Sequence, residues 1–442
     1  MAPAPNPGPV ATVAPAGLAA VGFWRLLAVA APHLAAIGLM LQTESDFGAR
    51  LGFLLSWGLL NFFWIALLRR PALSGALSLT LVVMLILLSQ LKHGIVQMTA
   101  NFVDVMVIDR DSAAFLFTIF PDLRWSVIGA TTLILPLMYA LWWLDPFRIR
   151  RLPALVCKLA CLAALVGYAY AWPEHPWRGY HDDGYLSKFS RSGVTAVSDF
   201  LNYGFMESDA VAAGRLKVPL EESCAPTGRR PHIIMIHDES SFDIRQARGI
   251  KVPPGYGSHF KSSDGKSRTF MAESSGGASW FTEYNVLAGL SSRSFGRFSY
   301  FVTRIAAGRV ERGLPLALRR CGYSTTSLYP AHGAFMSARQ FHTTTGIQTF
   351  LDARDLGARG VEPDRFFYDK ALSLLSQEAP AKPQFIFVYL AANHFPWEKR
   401  FRPDLTPSWA GPGNGPKVDE YLRRQTMSAD DYSAFVAGLK KK

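Results

Sequence analysis

Four stretches without a single charged residue, 26–43, 51–68, 71–91 and 125–144, limit what this chain can fold into more than anything else in it. Each is close to the ~20 residues a helix needs to cross a hydrocarbon core of about 30 Å. Only a helix or a closed barrel satisfies its own backbone there. A fifth stretch, 152–172, carries only Lys158, near one end, from where a lysine can snorkel to the interface. Buried core helices of a large soluble protein are the alternative, but four such runs among the first 150 residues argue against it. A cleaved signal peptide fits poorly, because one run follows another. Residues 113–121 are apolar but too short to span, so an interfacial or re-entrant helix is expected there.

Composition agrees with a chain of two unlike parts. Hydrophobic residues make up 49% and charged residues 18%, with a mean hydropathy of +0.12. Soluble domains carry about 25% charge. Four cysteines in 442 residues exclude a disulfide scaffold. The net charge of +12 divides into +4 over residues 1–172 and +8 over the remainder. Arg25, the Arg69-Arg70 pair, and Arg148, Arg150 and Arg151 all fall on one side if the chain starts in the cytoplasm and crosses five times. The segment 92–124, with Asp104, Asp109, Asp111 and Asp122, then lies outside, as does everything after Trp172. A multi-pass membrane protein with a cytoplasmic N-terminus and its C-terminal domain on the outer side is the expected arrangement. The spans lack the charges that mark a transport path. No basic helix or aromatic-basic interleaving supports nucleic-acid binding.

The reading therefore divides the chain into a membrane domain of about five spans (1–172), a linker and juxtamembrane segment (173–229) and an extracytoplasmic domain (230–442). Within the linker, 192–207 has the mixed character of a helix lying along the membrane. Beyond it, apolar runs at 232–236, 323–329 and 385–390 alternate with helical patterns at 281–290, 313–320 and 369–378. That alternation predicts an α/β domain with a doubly wound, mostly parallel sheet. Ligands of such sheets gather beyond the carboxyl ends of the strands, which makes the residues just after each run the informative ones.

After the first run stand His237, Asp238 and Glu239. Adjacent carboxylates there suit a hard divalent cation, although an acidic helix cap is the plainer explanation. Next, a Ser-Gly-Gly-Ala stretch leads into Ser279 at the start of a helix. The serine is either a nucleophile facing an anion or simply a cap. After the last run come Asn393 and His394; a histidine there either meets a phosphate or metal, or has a structural role.

Taken in order, five segments resemble the lipoteichoic-acid-synthase-like branch of the sulfatase and alkaline phosphatase superfamily. They are 236–240, Ser279-x-x-x-Glu283-Tyr284, 314–323, 346–352 and 393–396. The resemblance implies an alkaline-phosphatase-like domain that moves a phosphoryl-linked headgroup, phosphoglycerol or phosphoethanolamine. The donor would be a membrane lipid and the acceptor a glycan or lipid of the cell envelope. It implies Ser279 as nucleophile, where relatives often have threonine, and Glu239 as ligand of manganese, magnesium or zinc. With Ser279 and Asp238, Glu239 makes up the expected metal side. His394, with Asn393 beside it, would face the phosphoryl group. Arg339 lies one position from an arginine that the family often places near the substrate. His332 and His342 are nearby candidates without an assigned role.

Relatives also carry an Asp-His metal pair after a further strand, whereas this sequence stops at Lys442. A fragment, a degenerate inactive relative and ligands drawn from elsewhere are the three expectations, and each leaves activity in doubt. A catalytically dead scaffold or sensor is the competing class. A sulfuric ester hydrolase is less well supported, because Cys224-Ala-Pro-Thr-Gly-Arg229 places its arginine one position late. Cys224 and Cys321 both fall on the outer side, where a disulfide between them is possible.

Overall fold

The computed structural model describes residues 16–108, 115–118, 120–173, 176–205, 230–273, 278–310, 313–377, 382–406 and 408–441. They form two compact units, one from residues within 1–106 and 120–199, the other from 107–119 and 200–442.

The first unit contains the five long apolar helices: α1 (Ala16–Thr43), α2 (Phe47–Leu68), α3 (Pro71–Val96), α4 (Asp122–Leu144) and α5 (Arg151–Ala171). Asp46 caps α2 by accepting from the Ala49 amide at 2.8 Å, and Pro71 starts α3 where its missing N–H costs nothing. Asp145, buried just past α4, accepts from the Ala72 amide at 2.7 Å, while Arg70 donates to the Asp145 carbonyl at 2.8 Å and lies over the Trp142 ring. The start of α3 is thus tied to the end of α4. Met40, Phe53, Trp57, Val82 and Ile86 pack together with Tyr185 and Leu186. The latter two open an amphipathic helix, α6 (Tyr185–Tyr203), which starts seven residues earlier than the mixed segment suggests and packs up to Asp199 with the membrane unit. Of residues 113–121, 115–118 are helical, and 113, 114 and 119 lie outside the described residues.

The second unit is a four-stranded, all-parallel sheet in the order β1-β4-β2-β3. In chain order its elements are β1 (Ile233–Asp238), α7 (Trp280–Ala288), α8 (Leu314–Arg320), β2 (Ser324–Leu328), α9 (Ala338–Thr344), β3 (Thr349–Leu351), α10 (Asp364–Gln377), β4 (Gln384–Leu390) and α11 (Pro416–Lys440). All seven residues of β4 are buried, as befits a strand with a neighbour on either side. Phe367, Tyr368 and Phe435 from α10 and α11 cover one face of the sheet against Ile386, Val388 and Leu390. The fold class is the expected one, five apolar helices and a parallel α/β domain. One strand, β3, is additional: at three residues it is too short to register as an apolar run. Cys321 is disulfide-bonded, and Cys224 lies outside the described residues.

Candidate active site

Because β1 and β4 are adjacent and parallel, their carboxyl ends open side by side. Asp238 pairs with Leu390 in the last register position. The chain leaves β1 through Glu239 and leaves β4 toward Asn393 and His394. Helix α7 begins opposite them, at Ser279.

Ser279 occupies the cap position of α7 but makes no side-chain capping bond. Its hydroxyl turns away from the helix and donates to Glu239 Oε1 at 2.8 Å. The Tyr389 hydroxyl lies 2.7 Å from Ser279 Oγ and donates to Glu239 Oε2 at 2.9 Å. His394 Nε2 stands 3.4 Å from Glu239 Oε1, on a side chain 40% exposed. Burial, with Glu239 and Glu283 nearby, raises the Tyr389 phenol well above its ordinary range, so it remains a neutral donor. Two residues of the site's backbone, Ser240 (φ 58°) and Ala278 (φ 52°), are left-handed without being glycine. Such strain persists where the surroundings enforce it, often at functional sites.

Behind this front lies a second buried layer. Glu283, one turn beyond Ser279 on α7, accepts from or donates to His342 Nε2 at 2.9 Å, and both side chains are essentially inaccessible. His237 stacks on Tyr389 with ring centroids 4.3 Å apart, and burial favours its neutral form. Helix α11 braces the loops from outside. Gln425 accepts from Asn393 Nδ2 at 2.7 Å and donates to Ser241, while Arg424 donates to the His394 carbonyl at 2.7 Å.

The sequence-derived residues are thus distributed unevenly. Glu239, Ser279 and His394 meet. Asn393 is buried and spends its amide on Ser240 and Gln425, holding the loop. Asp238 points away from Glu239, 3.9 Å from His259 and close enough to Asp364 to influence its protonation. Arg339 binds Asp355 at 2.6 Å and Asp352 at 3.0 Å beside β3. His332 contacts Arg354. The acidic residues after β1 cap no α-helix, since only a single turn follows and Asp243 caps it. Tyr389, Gln425 and Arg424 were not legible: the first sits inside an apolar strand, and the others sit in a helix 30 residues further on.

A divalent ion would find Glu239 and Ser279 as its ligands. Three close oxygen–oxygen contacts share only two hydroxyl protons, which leaves lone pairs that a cation would satisfy. Among the described residues, no group of three or more His, Cys, Asp or Glu side chains converges. The oxygens fit a magnesium- or manganese-type ion that retains water better than a four-ligand zinc site.

Residues 271–431 match the family model described as Sulfatase. The matched segment makes up somewhat over a third of the chain. It contains Ser279, Tyr389, Asn393 and His394, while Glu239 lies before it. The chain is also similar to three solved structures. Lipoteichoic acid synthase LtaP from Listeria monocytogenes is 16% identical over 48% of this chain and 52% of its own, at a TM-score of 0.38. Phosphoglycerol transferase GacH from Streptococcus pyogenes, in complex with sn-glycerol-1-phosphate, is 16% identical over 48% and 58%, at 0.36. An alkaline phosphatase superfamily protein from Vibrio parahaemolyticus is 20% identical over 29% and 32%, at 0.23. The chain spans little more than half the length of the first two. No curated protein matches it.

Proposed function

We propose that this protein is a membrane-anchored transferase or hydrolase that moves a phosphoryl-linked headgroup from a lipid, through a covalent intermediate on Ser279. The observation that carries the reading is the Ser279 hydroxyl, which forgoes its helix cap to face Glu239 beside His394 and lies in the segment that matches the Sulfatase family model.

In the first step Ser279 Oγ attacks phosphorus as its proton passes to Glu239 Oε1, already its hydrogen-bond acceptor. The bond between phosphorus and the lipid alcohol breaks, and that alcohol leaves with the proton Glu239 has taken from Ser279. His394, half open to solvent on the same side, is placed to donate to a phosphoryl oxygen. In the second step an acceptor hydroxyl of a glycan or lipid, or water, gives its proton to Glu239 as its oxygen attacks phosphorus, the bond from phosphorus to Ser279 Oγ breaks, and Oγ leaves with that proton. When bound at Glu239 and Ser279, a divalent cation supplies electrostatic stabilisation of the charge developing on the phosphoryl oxygens. Five apolar helices keep the domain at the surface where a lipid donor resides. We assign the amino terminus to the cytoplasm and the C-terminal domain to the outer side of the bacterial inner membrane, on the distribution of arginines.

The test is release of diacylglycerol from phosphatidylglycerol or phosphatidylethanolamine vesicles by the purified full chain, before and after chelation and re-addition of Mn, Mg or Zn. Ser279→Ala should lower release by about 10³-fold or more, the scale for loss of a nucleophile. Equal release by wild type and S279A would reject the enzyme reading in favour of a scaffold or sensor.

A further inference from the structure

We propose that Tyr389 is a positioning residue for Ser279, acting through Glu239; the inference rests on the reading of Ser279 as the nucleophile. Tyr389 is the sixth residue of β4 and pairs in register with His237 of β1. Its ring is held on three counts. It stacks on the His237 imidazole at an interplanar angle of 7°, meets the Tyr329 ring edge-on at 5.3 Å, and is only 4% exposed. So fixed, the phenol presents its oxygen to one point, 2.9 Å from Glu239 Oε2 and 2.7 Å from Ser279 Oγ.

The consequence follows from counting protons. Glu239 has two carboxylate oxygens, and each receives one hydroxyl: Oε1 that of Ser279, Oε2 that of Tyr389. With Oε2 held by a rigid donor, the carboxylate plane cannot turn, and Oε1 stays aligned with the serine proton. Without the phenolic oxygen, Glu239 turns about its terminal torsion, which is broad, and Oε1 no longer stays aligned with the serine proton. The ring itself, its stacking and its burial survive in phenylalanine.

Reactivity of Ser279 toward diisopropyl fluorophosphate, followed by intact mass on the full chain in detergent, reads this alignment without the natural substrate. In that reaction the Oγ–P bond forms, the P–F bond breaks, and the serine proton leaves through Glu239 with fluoride. We expect wild type to be labelled at Ser279, S279A to stay unlabelled, and Y389F to react about 10- to 100-fold more slowly, the scale of a small misplacement. With vesicle substrate, kcat falls by the same factor while KM holds. Because the phenol acts through Glu239, E239Q/Y389F should be no slower than E239Q alone. Hydrogen exchange of β4 amides should match between wild type and Y389F.

Labelling of Y389F at the wild-type rate, multiplication of the two single effects in the double variant, or loss of β4 protection in Y389F would each overturn the proposal, and so would an unlabelled Ser279 in wild type. Labelling in wild type without any headgroup release from lipid refutes the lipid-transferase reading and leaves the positioning role standing.

Discussion

Asp364 opens α10 with its side chain almost wholly buried. Ser428 of α11 donates to Oδ2, while Oδ1 has no partner. Burial first, and the nearby Asp238 carboxylate second, push Asp364 up to about 8. In the unfolded chain the same group titrates near 3.9. Between pH 6 and 8 the unfolded form has therefore already lost its proton while the native form retains it. The native state binds more protons, so stability must fall as pH rises through this window. Each tenfold change in proton affinity is worth about 1.4 kcal/mol, and Asp364 is half ionised by pH 8, so the rise from pH 6 to 8 costs about 2 kcal/mol, or ~50-fold in the local opening constant. Above the native value the dependence flattens. Asp364→Asn keeps an oxygen for Ser428 and abolishes the ionisation. Hydrogen exchange of α10 and α11 amides in the full chain, corrected for intrinsic rates, measures the effect where it arises. Wild type should lose protection from pH 6 to 8, and D364N should not. Equal slopes in the two proteins, or a wild type that gains protection with pH, would refute the reasoning.

Two further outcomes follow from buried charges. His342→Ala strands Glu283, whose Oε1 has no partner even in wild type, and breaking such a pair costs about 3–5 kcal/mol; the exchange protection of α7 should drop accordingly, and unchanged protection would mean that the pair does not hold α7 in place. Glu44, between α1 and α2, is raised to about 7 by burial, and its Oε2 accepts from Ser187 at 2.6 Å. The membrane unit should therefore resist unfolding better at pH 5 than at pH 8, and Glu44→Gln should remove that difference in a thermal scan.

What the sequence disclosed, and what it withheld, follows from the range of the interactions. Four uncharged stretches and a fifth with one lysine announce helices fit to span a membrane, and five helices long and apolar enough to do so appear. Glu239, Ser279 and His394 each follow a recognisable local pattern, and strand adjacency brings them together. Local patterns cannot show direction, however. Asp238 and Glu239 are neighbours in the chain, yet one faces His259 and the other Ser279. Arg339 is drawn to Asp352 and Asp355, a pairing that depends on how α9 lies against β3. Tyr389 was hidden by its own suitability for a strand: an aromatic residue in an apolar run reads as core until the residue opposite its hydroxyl is known. The contribution of α11 is the longest in range, since Gln425 lies 184 residues from Ser241.

The enclosure of β4 also bears on how such a domain changes over generations. The strand that carries Tyr389 is buried at every residue, so most substitutions along it damage the sheet before they alter chemistry. Among the described residues of 396–415, just beyond His394, more than half are exposed and none belongs to a helix or strand. On the proposed function, that stretch can vary without disturbing the sheet, while the oxygens of Glu239, Ser279 and Tyr389 stay where β1, α7 and β4 hold them.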